Sequence, residues 1–148
     1  MGTYLGAEQV LCDLYVEQRL ATVAADLDLI ATDLSQRIYE DVAPADASYP
    51  FIVWQCQSPP RDVRGVGTFR VMVDTLYVVK AVTQASSYAP LAPIAKVIDS
   101  AMTNAEGSVV SDGLVFTSVR DDQFSMREIS EGTQFRHLGG EYRIQAQG

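Results

Sequence analysis

The segment from Phe69 to Ala81 restricts the fold more than any other part of the chain, because its side chains alternate over thirteen residues without proline or glycine. Alternation with a period of two predicts a β-strand with two distinct faces. One face is apolar and suits a core, whereas the other mixes charged and bulky apolar groups, so we expect a helix or a neighbouring subunit to cover it partly. The two faces would carry Phe69, Val71, Val73, Thr75, Tyr77 and Val79 on one side, and Arg70, Met72, Asp74, Leu76, Val78 and Lys80 on the other.

Other β-rich segments lie on both sides of that strand. Phe51–Cys56 is aromatic and β-branched on both faces, which predicts a central strand. Residues 58–67 contain two prolines, which cannot donate to a ladder, so we expect a loop there. Asp112-Gly113 predicts a hairpin turn and residues 141–146 alternate cleanly, whereas Gly139-Gly140 predicts a bulge or bend between two β segments.

Two parts of the chain have helical periodicity. Ala7–Leu34 contains no proline or glycine and repeats apolar residues at three- and four-residue steps. We expect two helices there, with a break near Asp26, a residue suited to an N-cap. The second helix-forming part runs from Pro90 to about Gly107, with Ser87 suited to capping its start. Its apolar stripe is expected to lie across the sheet and comprises Leu91, Ile94, Ala95, Ile98 and Met102.

These elements predict an α+β fold with a mixed, mainly antiparallel sheet of about four to five strands, an amphipathic helix across it and an acidic N-terminal helical segment. A chain of 148 residues has the length of one domain and can bury a core without disulfides or metals. We therefore expect a single domain over residues 1–148, with a helical segment in 1–36 and the sheet plus helix in 37–148.

The negative charge is concentrated in the first third of the chain. The formal net charge is −8, and residues 1–49 hold nine acids but only two bases. This balance disfavours non-specific binding to duplex DNA, which depends on basic groups that neutralise phosphates. The acidic excess is either a solvated helix surface or a surface that repels polyanions or meets a basic partner.

No residue pattern indicates a catalytic, cofactor-binding or metal site. His137 is the one histidine, and no nucleophile motif such as G-x-S-x-G accompanies it, so we expect a structural or surface role. Cys12 and Cys56 lack metal-ligand spacing and are expected to be free thiols in a reducing compartment. The chain has no apolar run of membrane-spanning length and no signal-peptide pattern at its start, so we expect synthesis in the cytoplasm.

The order of elements resembles that of the tail terminator (tail completion) proteins of long-tailed bacteriophages and related particles, from about Ala7 to Ala146. An acidic helical segment leads to Arg37-Ile38-Tyr39, a proline-containing connection and Tyr49-Pro50-Phe51-Ile52-Val53. A long alternating strand, an amphipathic helix and a final β-rich part follow. The chain departs from the family pattern in its longer, strongly acidic helical N-terminus.

The resemblance implies a subunit that forms a homo-hexameric ring, with no enzymatic activity and no cofactor. Such a ring caps the finished tail tube and joins it to the head-neck connector proteins, while DNA passes through the lumen without specific binding. The implied location is the host cytoplasm during assembly and then the tail-neck region of the virion, with no membrane partner.

The charged cluster Arg61-Asp62-Val63-Arg64 is the main candidate for a contact surface. It is either a solvated tip or an interface, because two guanidinium groups suit bidentate pairing with carboxylates, such as those of a neighbouring acidic subunit. A head-to-tail ring also needs two unlike patches on each subunit. We therefore predict subunit or partner contacts at this cluster and at the mixed face of the following strand, at Arg61, Asp62, Arg64, Arg70, Met72 and Leu76.

Three other functions stay open. The protein could be another head-tail neck protein, a stopper or an adaptor. It could be a small α+β enzyme or ligand-binding domain with a pocket between the sheet and helix 90–104, which requires convergent polar groups in a concave site. A single-stranded nucleic-acid binder is disfavoured by the negative charge.

Overall fold

A computed structural model describes residues 7–64, 70–103, 108–110 and 113–147. The helices are α1 (Ala7–Thr22), α2 (Ala24–Ile30) and α3 (Ala92–Met102), with 3-10 turns at Leu34–Gln36 and Ala89–Leu91. The strands in these ranges are β1 (Ile38–Glu40), β2 (Phe51–Arg64), β3 (Arg70–Gln84), β4 (Ser108–Val110), β5 (Gly113–Ser130) and β6 (Thr133–Gln147).

The strands form one mixed sheet in the order β1-β2-β3-β6-β5-β4. Only β1 is parallel to its neighbour, β2, and the other described pairs are antiparallel. Four long strands make the body of the sheet, and the three-residue strands β1 and β4 lie at its two edges. The predicted α+β class with a mixed, mainly antiparallel sheet is confirmed.

All three helices pack on one face of the sheet, here called the helix face. The predicted stripe of α3 is confirmed, since Leu91, Ile94, Ile98 and Met102 are at most 1% exposed. On β3, the predicted apolar face meets these helices. Its members that the structure describes are fully buried: Val73, Thr75, Tyr77 and Val79. The local periodicities therefore predict the core correctly.

The break between the first two helices is at Val23 and not near Asp26, as the sequence suggests. The Thr22 hydroxyl donates a 2.6 Å hydrogen bond to the Arg19 carbonyl oxygen, and such back-bonding competes with the helical ladder. The helix α2 begins after Val23 with no side-chain cap, and Leu27 N–H bonds to the Val23 carbonyl oxygen at 2.9 Å.

Ser87 does not cap the start of α3. A 3-10 turn precedes that helix, and neither element has a side-chain cap. The helix ends at Met102, and the predicted end near Gly107 falls outside the described residues.

The predicted loop over residues 58–67 is wrong for its first seven residues, because β2 continues through Pro59 and Pro60 to Arg64. The register with β3 passes from Ser58 opposite Leu76 to Arg61 opposite Asp74, and neither proline has a ladder partner. Proline is tolerated here because β1 covers only the beginning of β2, so this half of the strand is an edge. Residues 65–69, including the predicted strand start at Phe69, lie outside the described residues.

The predicted interruption at Gly139-Gly140 is also wrong, since β6 is continuous and keeps its register through both glycines. The backbone of Gly139 passes so close to β3 that a Cβ would lie 2.5 Å from the Lys80 Cα. The glycines thus permit a close approach of two strands. The irregularity occurs instead on β5, where the register shifts between Arg120 and Asp122.

Candidate subunit interface

The six predicted contact residues lie together at one corner of the sheet, where β2 ends and β3 begins. The antiparallel register places Arg64 opposite Arg70, and Leu76 opposite Ser58. Met72 pairs with the residue between Asp62 and Arg64. The sequence-distant members are thus brought to one corner, here called the corner patch, in which Asp62 lies opposite Val73 on the helix face and Met72 and Leu76 lie on the other face. The patch comprises Arg61, Asp62, Arg64, Arg70, Met72 and Leu76.

Asp74 is hydrogen-bonded to one member of the corner patch, Arg61, and the sequence prediction did not include it. Its carboxylate Oδ2 accepts hydrogen bonds from Arg143 Nη1 at 2.9 Å and from Arg61 Nη2 at 3.3 Å. Arg143 also donates to Asp121 at 3.3 Å, which is the main cause that raises its pKa. The only sequence signal was a carboxylate in the middle of the mixed face of β3.

The two bonds to Asp74 differ in strength. The Asp74 side chain is 9% exposed, the Arg143 side chain is 34% exposed and the Arg61 side chain is 75% exposed. An ion pair with a largely solvated arginine contributes little, so Arg143 is the main partner. Asp74 Oδ1 is buried and has no hydrogen-bond partner within the described chain. Arg61 can therefore rotate toward a partner protein with little loss of folding stability.

The Arg37 side chain is hydrogen-bonded to backbone on both sides of β1, between the helical segment and the sheet. It donates to the carbonyl oxygens of Thr32, Asp33 and Tyr49, the last two at 3.3 and 3.1 Å. The residues that follow Arg37 form β1, and Ile38 pairs in parallel with Ile52 of β2. The stretch from Arg37 to Val53, which carries the family resemblance, therefore connects the helical segment to the sheet.

An acidic patch lies where α1 meets the edge of the sheet. Asp13 accepts a hydrogen bond from the buried Tyr77 hydroxyl, and burial raises the pKa of Asp13 despite that bond. Burial also raises the pKa of Glu40, and repulsion from Asp13, Asp41 and Glu17 acts in the same direction. None of these four carboxylates has an ion pair with a described basic residue.

The connection from β1 to β2 crosses the face of the sheet opposite the helices, here called the outer face. Tyr49 in this connection packs against Phe51 and against Phe135 of β6, with ring centroids 5.3 and 5.7 Å apart. An open cavity of about 390 Å³ lies beneath the connection and is lined in part by Lys80 and His137.

His137 has a structural environment. Its Nε2 is 2.9 Å from Glu128 Oε1, and the ring is 7% exposed. Burial is the main cause that lowers the pKa of His137, while Glu128 opposes the shift and Lys80 adds to it. The ring therefore links β6 to β5.

The position that a ligand-binding domain would use, between the sheet and α3, holds a shallow depression of about 290 Å³. Its polar groups bond to one another, since Asp99 Oδ1 accepts from the Tyr142 hydroxyl at 3.1 Å and lies 3.4 Å from Arg120 Nη1. These three polar side chains are therefore paired with one another in the described structure.

The cysteines are free where the structure describes them, and burial raises the pKa of Cys12 to about 12. Among the described side chains, no group of three or more His, Cys, Asp or Glu is placed to hold a metal ion. Within the same ranges, every helix is too short or too polar to cross a bilayer.

No protein family matches the sequence, and no curated protein matches it. The fold does match a solved structure. A chain in the structure of the "Virion of native gene transfer agent (GTA) particle" superposes with a TM-score of 0.62 and 16% identity, over 88% of this chain and 91% of that chain. At this identity the likeness shows a shared fold, and it extends over nearly the full length of both chains.

Proposed function

We propose that the protein is a structural virion component that acts as a tail terminator. It forms a homo-hexameric ring that caps the tail tube and joins it to the head-neck connector, and DNA passes through its lumen. The observation that carries the proposal is the fold shared with a chain of a gene transfer agent virion over 88% of this protein. The order of elements from about Ala7 to Ala146, which resembles that of tail terminators, supports the same role.

The charge distribution suits a DNA conduit. A lumen must let DNA slide, and a carboxylate surface repels phosphates and leaves no counterions to release. The acidic patch of Asp13, Glu17, Glu40 and Asp41 gives the protein a region of that kind, with no described basic partner. We place this patch on or near the lumen, where transient contacts with DNA would stay weak.

The corner patch suits a contact with another protein. Arg61 is mostly exposed and is held only loosely by Asp74, so its guanidinium group can pair with a carboxylate of a neighbour or of the tail tube. Met72 and Leu76 beside it are half-buried in the isolated chain and would be covered further. A non-enzymatic role agrees with the internally paired polar groups at the α3 depression.

Mass measurement in solution followed by electron microscopy tests this function. The protein should form closed rings, alone or after mixing with tail tubes from the same particle, and the rings should sit at tube ends. The variant with Arg61→Ala and Arg64→Ala should weaken ring or tube binding, with Lys96→Ala on the exposed face of α3 as the matched control. Rings that bind only the head side would identify a stopper or adaptor. A stable monomer that binds a small molecule saturably and ignores tubes would refute the proposal.

A further inference from the structure

The two edges of the sheet are each covered over only part of their length. On one edge, β4 pairs with Gly113–Val115, and the remaining residues of β5 have no outer strand in the described structure. On the other edge, β1 pairs with Ile52–Trp54, and the remaining residues of β2 are similarly open. Each edge therefore has a step, with one covered part and one open part.

The steps lie at opposite ends of the strands. Followed across the sheet, the register runs from Tyr39 of β1 through Val53, Lys80 and Gly139 to Phe124 of β5. The strand β1 is therefore level with the open part of β5. At the other end, β4 is level with the open part of β2, since the register from Val115 passes through β6 and β3 to Asp62.

Steps of this kind fit one another when copies follow head to tail. The β1 strand of the next copy would pair with three residues in the open part of β5, and β4 would lie beside the open part of β2 in that next copy. The strand directions also agree, because β1 is parallel to β2 and β5 runs opposite to both. The new contact is then antiparallel, which is the more stable pairing.

We propose that the open part of β5 pairs with β1 of a second copy, so that the sheet continues from subunit to subunit around the ring. The inference rests on the proposed self-assembly and names the surface that mediates it. The contact is heterologous, as closure by rotation requires.

The open edge of β5 exposes apolar side chains. Met126 and Ile129 in that part of the strand are 37% and 59% exposed. The proposed contact would partly cover an edge that otherwise favours aggregation.

The open part of β2 is less suited to strand pairing. Pro59 and Pro60 lie in the middle of that part and have no N–H to donate. Proline on an edge prevents uncontrolled pairing. The two open edges thus differ, and the one in which every residue has an N–H to donate is that of β5.

Cross-linking between introduced cysteines tests the contact in the full chain. In a Cys56→Ser background, the double variant Ser125→Cys with Glu40→Cys places one exposed thiol on each proposed edge, while the native Cys12 is buried. A short bis-maleimide should convert it into a ladder of covalent oligomers up to the closed ring. Each single variant should stay uncross-linked, and so should the control pair Ser125→Cys with Ser100→Cys, whose second thiol lies on the exposed face of α3.

A second variant measures the strength of the contact. Met126→Lys with Ile129→Lys changes two exposed side chains and should leave the fold intact, yet weaken self-association about tenfold or more. Val10→Lys, at a 48% exposed position on α1, is the matched control and should have no effect.

Three results would overturn the inference. Dimers from Ser125→Cys alone would show a symmetric β5 contact instead. Rings without cross-links in the double variant would place the interface elsewhere and leave the proposed function standing. Monomers without cross-links at the highest soluble concentration and in the presence of tail tubes would remove both the interface and the ring.

Discussion

Replacing Gly139 with alanine should destabilise the protein strongly, because the position lies where β6 approaches β3 most closely. An ideal Cβ on Gly139 would lie against the Val79 carbonyl oxygen, 2.9 Å from the Val79 carbonyl carbon and 2.5 Å from the Lys80 Cα. All three atoms belong to the backbone and cannot rotate away. Ordinary contact begins near 3.4 Å, so the two strands would have to move apart locally.

The magnitude follows from that movement. Overpacking a tight site costs about 1–3 kcal/mol. Separating the strands also weakens the neighbouring ladder bonds, each of which contributes about 1 kcal/mol to stability. Lys80 also reaches across Gly139 to the Phe124 ring, 5.0 Å from its centroid, and would be displaced. We expect a loss of about 3–5 kcal/mol, a large share of the 5–15 kcal/mol typical of a domain.

Thermal unfolding followed by circular dichroism measures this loss, and the melting temperature of Gly139→Ala should fall by about 10 °C or more for a chain of this length. Gly132→Ala is the matched control. Gly132 lies in the β5–β6 turn with φ +80°, and a Cβ there would meet nothing within 4 Å. Only conformational strain of about 1–2 kcal/mol applies to it. The reasoning would be refuted if Gly139→Ala were no more destabilising than Gly132→Ala.

Three other changes have definite expected results. Arg37→Ala removes a side chain that donates hydrogen bonds to three carbonyl oxygens. It should lower the free energy of unfolding, measured by urea titration, by about 1–3 kcal/mol. The control Arg127→Ala, at an exposed position with no ion pair in the described chain, should change that free energy by less than about 0.5 kcal/mol. Arg143→Ala should be more destabilising than Arg61→Ala, because only Arg143 is a partly buried partner of the buried carboxylate between them, and equal losses would contradict that ranking. Glu40→Gln should raise the melting temperature at neutral pH, and this gain should shrink as the pH falls. The folded-state pKa of Glu40 is raised, so as the pH falls the folded wild-type protein binds a proton at Glu40 before the unfolded chain does. The wild-type protein therefore gains stability relative to the variant over that pH range. A gain independent of pH would point to packing instead of charge.

Elements with strong local periodicity could be predicted from the sequence. The strand β3 and the helix α3 have period-two and period-3.6 patterns, and the structure confirms the buried face of each. In both elements one face packs against the core, so the spacing of apolar residues in the sequence indicates directly which side chains are buried. The same logic explains the correct fold class.

The errors fell where the outcome depends on distant parts of the chain. Whether β2 can continue through Pro59 and Pro60 depends on how much of its edge another strand covers, which the local sequence does not reveal. Gly139 suggested an interruption because its close contact with β3 arises only from the sheet topology. In both cases a residue type that usually interrupts a strand lies within a continuous one.

The sequence predicts the candidate contact residues as two unlike patches, whereas the structure places them in one corner of the sheet. The cluster around Arg61 and the mixed face of β3 do lie together, and whether they bind a partner stays a prediction. The missing component was Asp74 with its partner Arg143, which lies 69 positions away in the sequence. Pairing between strands that are distant in sequence is what makes such a network invisible to spacing arguments.

The net charge and the prolines at one sheet edge both limit how copies of the protein can associate. An open, apolar strand edge promotes indefinite association unless something limits its partners. Here the prolines of β2 remove one competing edge, and the net charge of −8 opposes close approach of copies that are not aligned. The edge of β5 contains no proline, so it stays available to β1 of the next copy. A head-to-tail contact of this kind is favoured over open aggregation when a rotation closes the ring and brings the β5 edge of each copy against β1 of its neighbour.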